Sequence, residues 1–227
     1  MNAPLQRPIL RVFLAAMASA ALAACASVSG QADPASDAPE TRARSDVPPM
    51  PARSYGEALL TWQSAADVNA WIGARFEYDM ARALRLSETQ REKLGRMPIL
   101  APEAFFDAPR GVCVDLARFA VESLRAVDPA AEPAYVMIEF DPVAVAGNTL
   151  RRHWVVSFRK GGALYFFADS KRPGHVAGPY VSTAEFIAEY ARYRGRRIVS
   201  YRETESYERK LRTLAAKQRR DEPAMQP

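Results

Sequence analysis

Arg110-Gly111-Val112-Cys113-Val114-Asp115-Leu116-Ala117 is the stretch on which the reading of this 227-residue chain turns. It places a cysteine where a loop becomes a helix. From Cys113 onward, Leu116, Ala117, Ala120, Val121, Leu124 and Val127 recur at helical spacing on one face. Asp115, Arg118, Glu122 and Arg125 fall on the opposite face, which is expected to meet solvent. Cys113 then lies in the first turn, at the edge of the buried stripe. A helix start carries partial positive charge and unpaired N–H groups, a field that favours thiolate over thiol. Gly111 is expected to allow a tight turn and the close approach of a substrate. The plainer alternative is a small buried cysteine at a helix end.

Downstream the hydrophobic period changes from 3.6 to 2. Ala134 to Phe140, Arg152 to Phe158 and Ala163 to Asp169 read as strands, the last two joined as a hairpin across Arg159-Lys160-Gly161-Gly162. With a three-residue loop, Arg159 faces Ala163, and His153 sits opposite Asp169 on one face of the sheet. A two-residue loop would put them on opposite faces. Capping boxes open three further helices, at Ser64-Ala-Ala-Asp67, Ser87-Glu-Thr-Gln90 and Ser182-Thr-Ala-Glu185. The first carries Val68, Trp71, Ile72 and Phe76 on one face, and the third buries Phe186, Ile187 and Tyr190. Met97 to Arg110, with Pro98, Pro102 and Pro109, reads as an apolar but irregular segment. Arg197 to Tyr201 reads as a last strand.

A thiol at a helix start, an imidazole on a strand and a carboxylate across the ladder form a nucleophile, a base and an orienting group. Cys113 would attack an acyl carbon and His153 would carry the proton. Asp169 would hold the ring tautomer, and the Cys113 backbone N–H would serve as one oxyanion donor. The other histidine, His175, lies in a Pro/Gly loop. A zinc site from Cys113, His153, His175 and Asp169 lacks the usual close ligand pairs, so no metal or cofactor is expected.

Gly111-Val-Cys113-Val-Asp115 resembles the Gly-x-Cys-x-acid motif of the transglutaminase-like superfamily. His153-Trp154-Val155 resembles its His at the head of a strand, and Phe167-Ala168-Asp169-Ser170 its Asp ending the next strand. Their spacing, 40 residues from Cys113 to His153 and 16 from His153 to Asp169, is similar to the family's. The resemblance covers roughly residues 58–202. It implies an α+β, papain-like core with a cysteine helix packed on an antiparallel sheet. It also implies acyl transfer, as a cysteine peptidase or amidohydrolase or as a Gln–Lys cross-linking enzyme. Some relatives depend on calcium, but no Asp-rich calcium loop is present here. The tryptophan that supports the oxyanion in animal cross-linking enzymes has no clear counterpart, so hydrolysis of a peptide, protein or cell-wall amide is the expected activity. A catalytically idle module binding peptide or cell wall is the alternative.

Residues 1–24 read as an export signal, with Arg7 and Arg11 before an apolar run too short to span a bilayer. Leu22-Ala23-Ala24-Cys25 resembles the lipobox of bacterial lipoproteins, which implies lipid on Cys25. It also implies a place in the cell envelope, anchored on the periplasmic face of the outer membrane. With Cys25 lipidated, Cys113 has no partner; a Cys25–Cys113 disulfide is the alternative. Residues 25–54, rich in Ala, Ser, Asp and Pro, read as a disordered tether reaching roughly 30 Å. Residues 55–203 form the domain and 204–227 a charged helical tail. The net charge of +5 is modest and points to no nucleic-acid partner.

Overall fold

The computed structural model describes residues 37–39 and 42–208. The chain divides into two units, residues 1–30 and 31–227, and every described residue belongs to the second. The signal segment, Cys25 and the tail from residue 209 lie outside the described residues.

In chain order the elements are α1 (Tyr55–Thr61), α2 (Ala65–Arg75), β1 (Glu77–Tyr78), α3 (Met80–Arg85), α4 (Glu88–Leu94) and α5 (Pro102–Asp107). They continue with β2 (Arg110–Gly111), α6 (Cys113–Val127), β3 (Ala134–Val145) and β4 (Asn148–Lys160). The last are β5 (Ala163–Phe167), β6 (Ala177–Tyr180), α7 (Thr183–Arg194) and β7 (Ile198–Thr204). The expected helix starts are present. Ser87 accepts from the Gln90 N–H, and Ser182 from the Glu185 N–H. At α2 it is the Asp67 carboxylate that caps, taking the Gln63 N–H and the Ser64 hydroxyl. Met97 to Arg110 is not wholly irregular. Pro102 sits at the first position of α5, where a missing N–H costs nothing, and the helix buries Phe105 and Phe106.

The fold is α+β. Five strands form one sheet in the order β6-β5-β4-β3-β7, each neighbouring pair antiparallel. Period-2 alternation gives the sheet two apolar faces. Tyr135, Met137, Trp154, Val156 and Phe167 join a core with α6, where Leu116, Phe119 and Leu124 meet Trp62, Trp71, Phe105 and Phe106. Val136, Ile138, Val155 and Phe166 join a second core with Phe186, Ile187 and Tyr190 of α7. The sheet is therefore the middle layer between helices. The short parallel pair β1–β2 ties the end of α2 to the turn before Cys113.

The hairpin register differs from expectation. Lys160 pairs with Ala163, Arg159 with Leu164 and Val156 with Phe167. The loop is the two residues Gly161 and Gly162, at φ 59° and 81°. Two adjacent glycines with positive φ make the tight turn whose twist matches the strands, and that shifts every pair by one residue. His153 and Asp169 are thus not ladder partners.

The expected tether also differs. Asp37 is buried and bonds to Arg194, Arg42 donates to the Gly73 carbonyl at 2.6 Å, and the Ala43 N–H donates to the Pro173 carbonyl at 3.0 Å. Arginine and backbone donors here satisfy carbonyls that the domain leaves open. At the other end, Tyr207 packs edge-on against Tyr135 and under the Arg118 guanidinium.

Candidate active site

Asp115 governs the turn that presents Cys113. It was expected on the solvent face, yet it is fully buried. Arg82 reaches it from α3 with a two-pronged contact, Nε to Oδ2 at 2.7 Å and Nη2 to Oδ1 at 2.8 Å. The Leu100 N–H donates to Oδ1 at 2.9 Å and the Val112 N–H to Oδ2 at 3.0 Å. A charge at the third position of a helix turns inward when a cation and orphan N–H groups await it. Gly111 serves the same packing. A Cβ there would stand 3.0 Å from both Asp115 Cβ and Phe105 Cε2, so neighbouring side chains, rather than a substrate, demand the glycine.

Cys113 is the first residue of α6, 7% exposed and free of any disulfide. The Trp154 backbone N–H donates to its sulfur. The expected bias toward thiolate is reversed. Burial pushes the thiol well above its ordinary value and the nearby Asp37 carboxylate adds to the rise, outweighing the Trp154 donor. At this helix start the loss of water outweighs the field of the first-turn N–H groups.

His153, fully buried, is held on the opposite side of its strand. Its Nε2 lies 2.9 Å from Asp169 Oδ1, and its ring stacks on Tyr190 of α7 at 5.8 Å. The contact with Asp169 forms although the ladder register forbids it. β5 ends at Phe167 and Ala168 adopts φ 56°, which swings Asp169 out of the strand's alternation and under His153. Asp169 Oδ1 also accepts from the Lys171 N–H at 2.9 Å and the Tyr190 hydroxyl at 3.0 Å. Oδ2 faces Arg172 Nε at 3.5 Å. Burial alone would raise this carboxyl. The His153 hydrogen bond and charge, with Arg172 and Arg194, outweigh it and hold the group well below the usual carboxylate range.

Beyond Asp169 the chain of contacts continues. Arg194 Nη1 donates to the Tyr190 oxygen at 3.1 Å, and Nη2 pairs with Asp37 Oδ1 at 2.9 Å. Burial and the Asp169 charge keep the Tyr190 phenol protonated and able to donate. Tyr190 was expected only as a buried residue. Its four-residue spacing from Arg194 on α7 was the available signal, whereas Asp37 carried none.

Of the three residues singled out in the sequence, the structure joins His153 and Asp169. No hydrogen bond joins Cys113 to His153; the thiol's contact is with the peptide N–H of the next residue. His153 Nδ1 is buried and without a partner. With Asp169 accepting, Nε2 carries a ring proton, and Nδ1 is the ring nitrogen left without a protein partner. His175 lies beside Asp169 and Arg172, its pKa lowered by burial and by Arg172. Among the described residues no group of three or more His, Cys, Asp or Glu side chains is placed to hold a metal ion. No helix among them is long and apolar enough to cross a membrane.

No family model, curated protein or solved structure matches the chain.

Proposed function

We propose that this protein is a cysteine-dependent amide hydrolase, a peptidase or amidase, on a papain or transglutaminase-like core. The observation that carries the reading is the buried His153–Asp169 pair, whose second ring nitrogen makes no contact within the protein. The Cys113 sulfur meets the same strand at the Trp154 N–H, on the face opposite the His153 ring.

In the proposed cycle His153 takes the thiol proton as the sulfur bonds to the substrate's acyl carbon, a step that requires the ring to reach the Cys113 side of its strand. Asp169 stabilises the imidazolium that forms. The developing oxyanion is met by the N–H groups of the first turn of α6, that of Cys113 among them. His153 returns the proton to the leaving amine, and water then releases the acid by the same route. The resting thiol is neutral, so the base and nucleophile act together rather than as a preformed ion pair. Water is the default acceptor, so hydrolysis is favoured over cross-linking.

The raised thiol supports a second reading, an idle module of the same fold that binds peptide or cell wall. Turnover separates the two. Wild type should cleave members of a mixed peptide library, monitored by mass spectrometry, and Cys113→Ala and His153→Ala should each abolish cleavage while keeping a folded spectrum. Wild type that cleaves nothing across the library would leave the binding module. Iodoacetamide is a poor discriminator here, because burial slows alkylation of the resting thiol in either case.

The chain's start supports export and lipid attachment at Cys25, which would hold the domain at the bacterial envelope. With Asp37 packed on the domain, only about a dozen residues lie between lipid and domain. Palmitate labelling of wild type but not of Cys25→Ala tests the attachment.

A further inference from the structure

A cleft of about 1120 Å³ opens onto Cys113, and its charge is lopsided. Seven of its lining residues are arginines, four are Asp or Glu, and none is lysine. Half of the acidic residues are already spent within the protein, leaving Glu92 and Glu208 as the cleft's other two carboxylates. Glu88 takes Arg151 at 3.0 Å and Arg152 at 3.7 Å, and Asp37 is consumed by Arg194 at 2.9 Å. Arg118 is matched by Glu122 at 2.8 Å, outside the cleft. Arg85, Arg96 and Arg202 are exposed and pair with no carboxylate among the described residues. They stand on different elements: Arg85 ends α3, Arg96 follows α4 and Arg202 lies on β7. The floor between them is apolar, with Leu86, Ile99, Val114, Leu150 and Trp154 leading to the sulfur.

Arginine presents a planar fork matched to a carboxylate, and it is less tightly hydrated than lysine. Three unspent forks spread around an apolar floor suit a chain that alternates acidic and apolar groups. We infer that the cleft binds an acidic peptide segment, and that the amide bonds presented to Cys113 are those flanked by Asp or Glu. The preference for cleavage rests on the proposed hydrolase; the binding does not. Nucleic acid is the other polyanion such a rim could hold, but the three aromatic lining residues are engaged within the protein, Trp154 on Tyr135, Tyr78 on Phe76 and Tyr207 on Tyr135 beneath Arg118, rather than offered as platforms for successive bases.

The test uses full-length Cys113→Ala, which cannot turn over, and three fluorescent probes of equal length: an Asp/Glu-Leu peptide, a Lys-Leu peptide and a single-stranded oligonucleotide. Anisotropy should show the acidic peptide binding about tenfold or more tighter than the lysine peptide, and weakening as salt rises. Arg85→Glu, Arg96→Glu and Arg202→Glu together should erase that preference, while the three Lys replacements should keep part of it. Equal binding of the two peptides, or tighter binding of the oligonucleotide, would overturn the inference. Wild type then reports separately on the chemistry. Acidic binding without cleavage removes the hydrolase and keeps the cleft's preference. Cleavage indifferent to acidic residues does the reverse.

Discussion

Two buried carboxylates stand a few turns of chain from the two halves of the candidate site, and they are satisfied in different ways. Asp115 takes four donors and every one is structural: two from Arg82, one from Leu100 and one from Val112. Its network is closed, with no atom left over. Asp169 also takes several donors, but one of them is a ring with a second, unpaired nitrogen. Its network is open at one end. The contrast separates a carboxylate that builds the cleft from one that prepares a base. Burial and charge alone do not make that distinction, because both groups are buried and both face arginine. What decides it is whether the hydrogen-bond chain ends on a spent atom or an available one.

The largest expected effect lies at the open end. Asp169→Asn keeps size and shape but lets the His153 ring settle with its proton on Nδ1. We expect kcat for peptide cleavage to fall on the order of 10⁴-fold with KM little changed, measured on the best library substrate. The same variant carries a pH signature. A carboxyl whose folded pKa is depressed contributes stability that is present above its unfolded value of about 3.9 and lost as pH falls through the folded value. The difference in melting temperature between wild type and Asp169→Asn should therefore be flat from neutral pH to about pH 5 and shrink below pH 4. A difference that grew on acidification would mean that His153 and the arginines do not hold Asp169 ionised.

At the closed end the effect should appear in stability instead. Asp115→Ala strands the Arg82 guanidinium in a nearly buried site and frees two N–H groups, at a cost of about 3–5 kcal/mol. Replacing the pair with apolar residues of similar volume, Arg82→Met with Asp115→Leu, should recover much of that loss. Urea denaturation of the single and double variants measures both. If the double variant is as unstable as the single one, the backbone N–H groups of Leu100 and Val112, rather than the arginine, are what Asp115 chiefly serves.

The sequence made some of this legible and hid the rest for identifiable reasons. Period and caps announced α6, α7 and the strands, because those signals are local. Asp115 was placed on the wet face because helical angle says nothing about a partner 33 residues upstream. The pair Gly161-Gly162 did signal a two-residue turn, and the longer loop was the wrong choice between two readings of the same residues. The contact between His153 and Asp169 was anticipated by a register that does not exist. It is made instead by Ala168, whose left-handed backbone no alanine advertises. Asp37 lies 157 residues from Arg194 in a stretch whose composition reads as tether, so only tertiary structure could bring it to the cleft.

The smallest effect tests whether the open network is tuned as well as assembled. Tyr190→Phe keeps the ring stacked on His153 and removes one donor from Asp169 and one acceptor from Arg194. The expected stability cost is about 1 kcal/mol. The informative readout is the pH dependence of kcat/KM. With one donor fewer, Asp169 concentrates its charge on His153 and favours the imidazolium, so the acid limb should move to higher pH. Asp169→Asn should move the same limb the other way, since it removes the charge altogether. A Tyr190→Phe profile unmoved from wild type, with only the melting temperature lowered, would make Tyr190 a packing residue. The Asp169 network would then differ from that of Asp115 in its unpaired His153 nitrogen and its own less satisfied Oδ2.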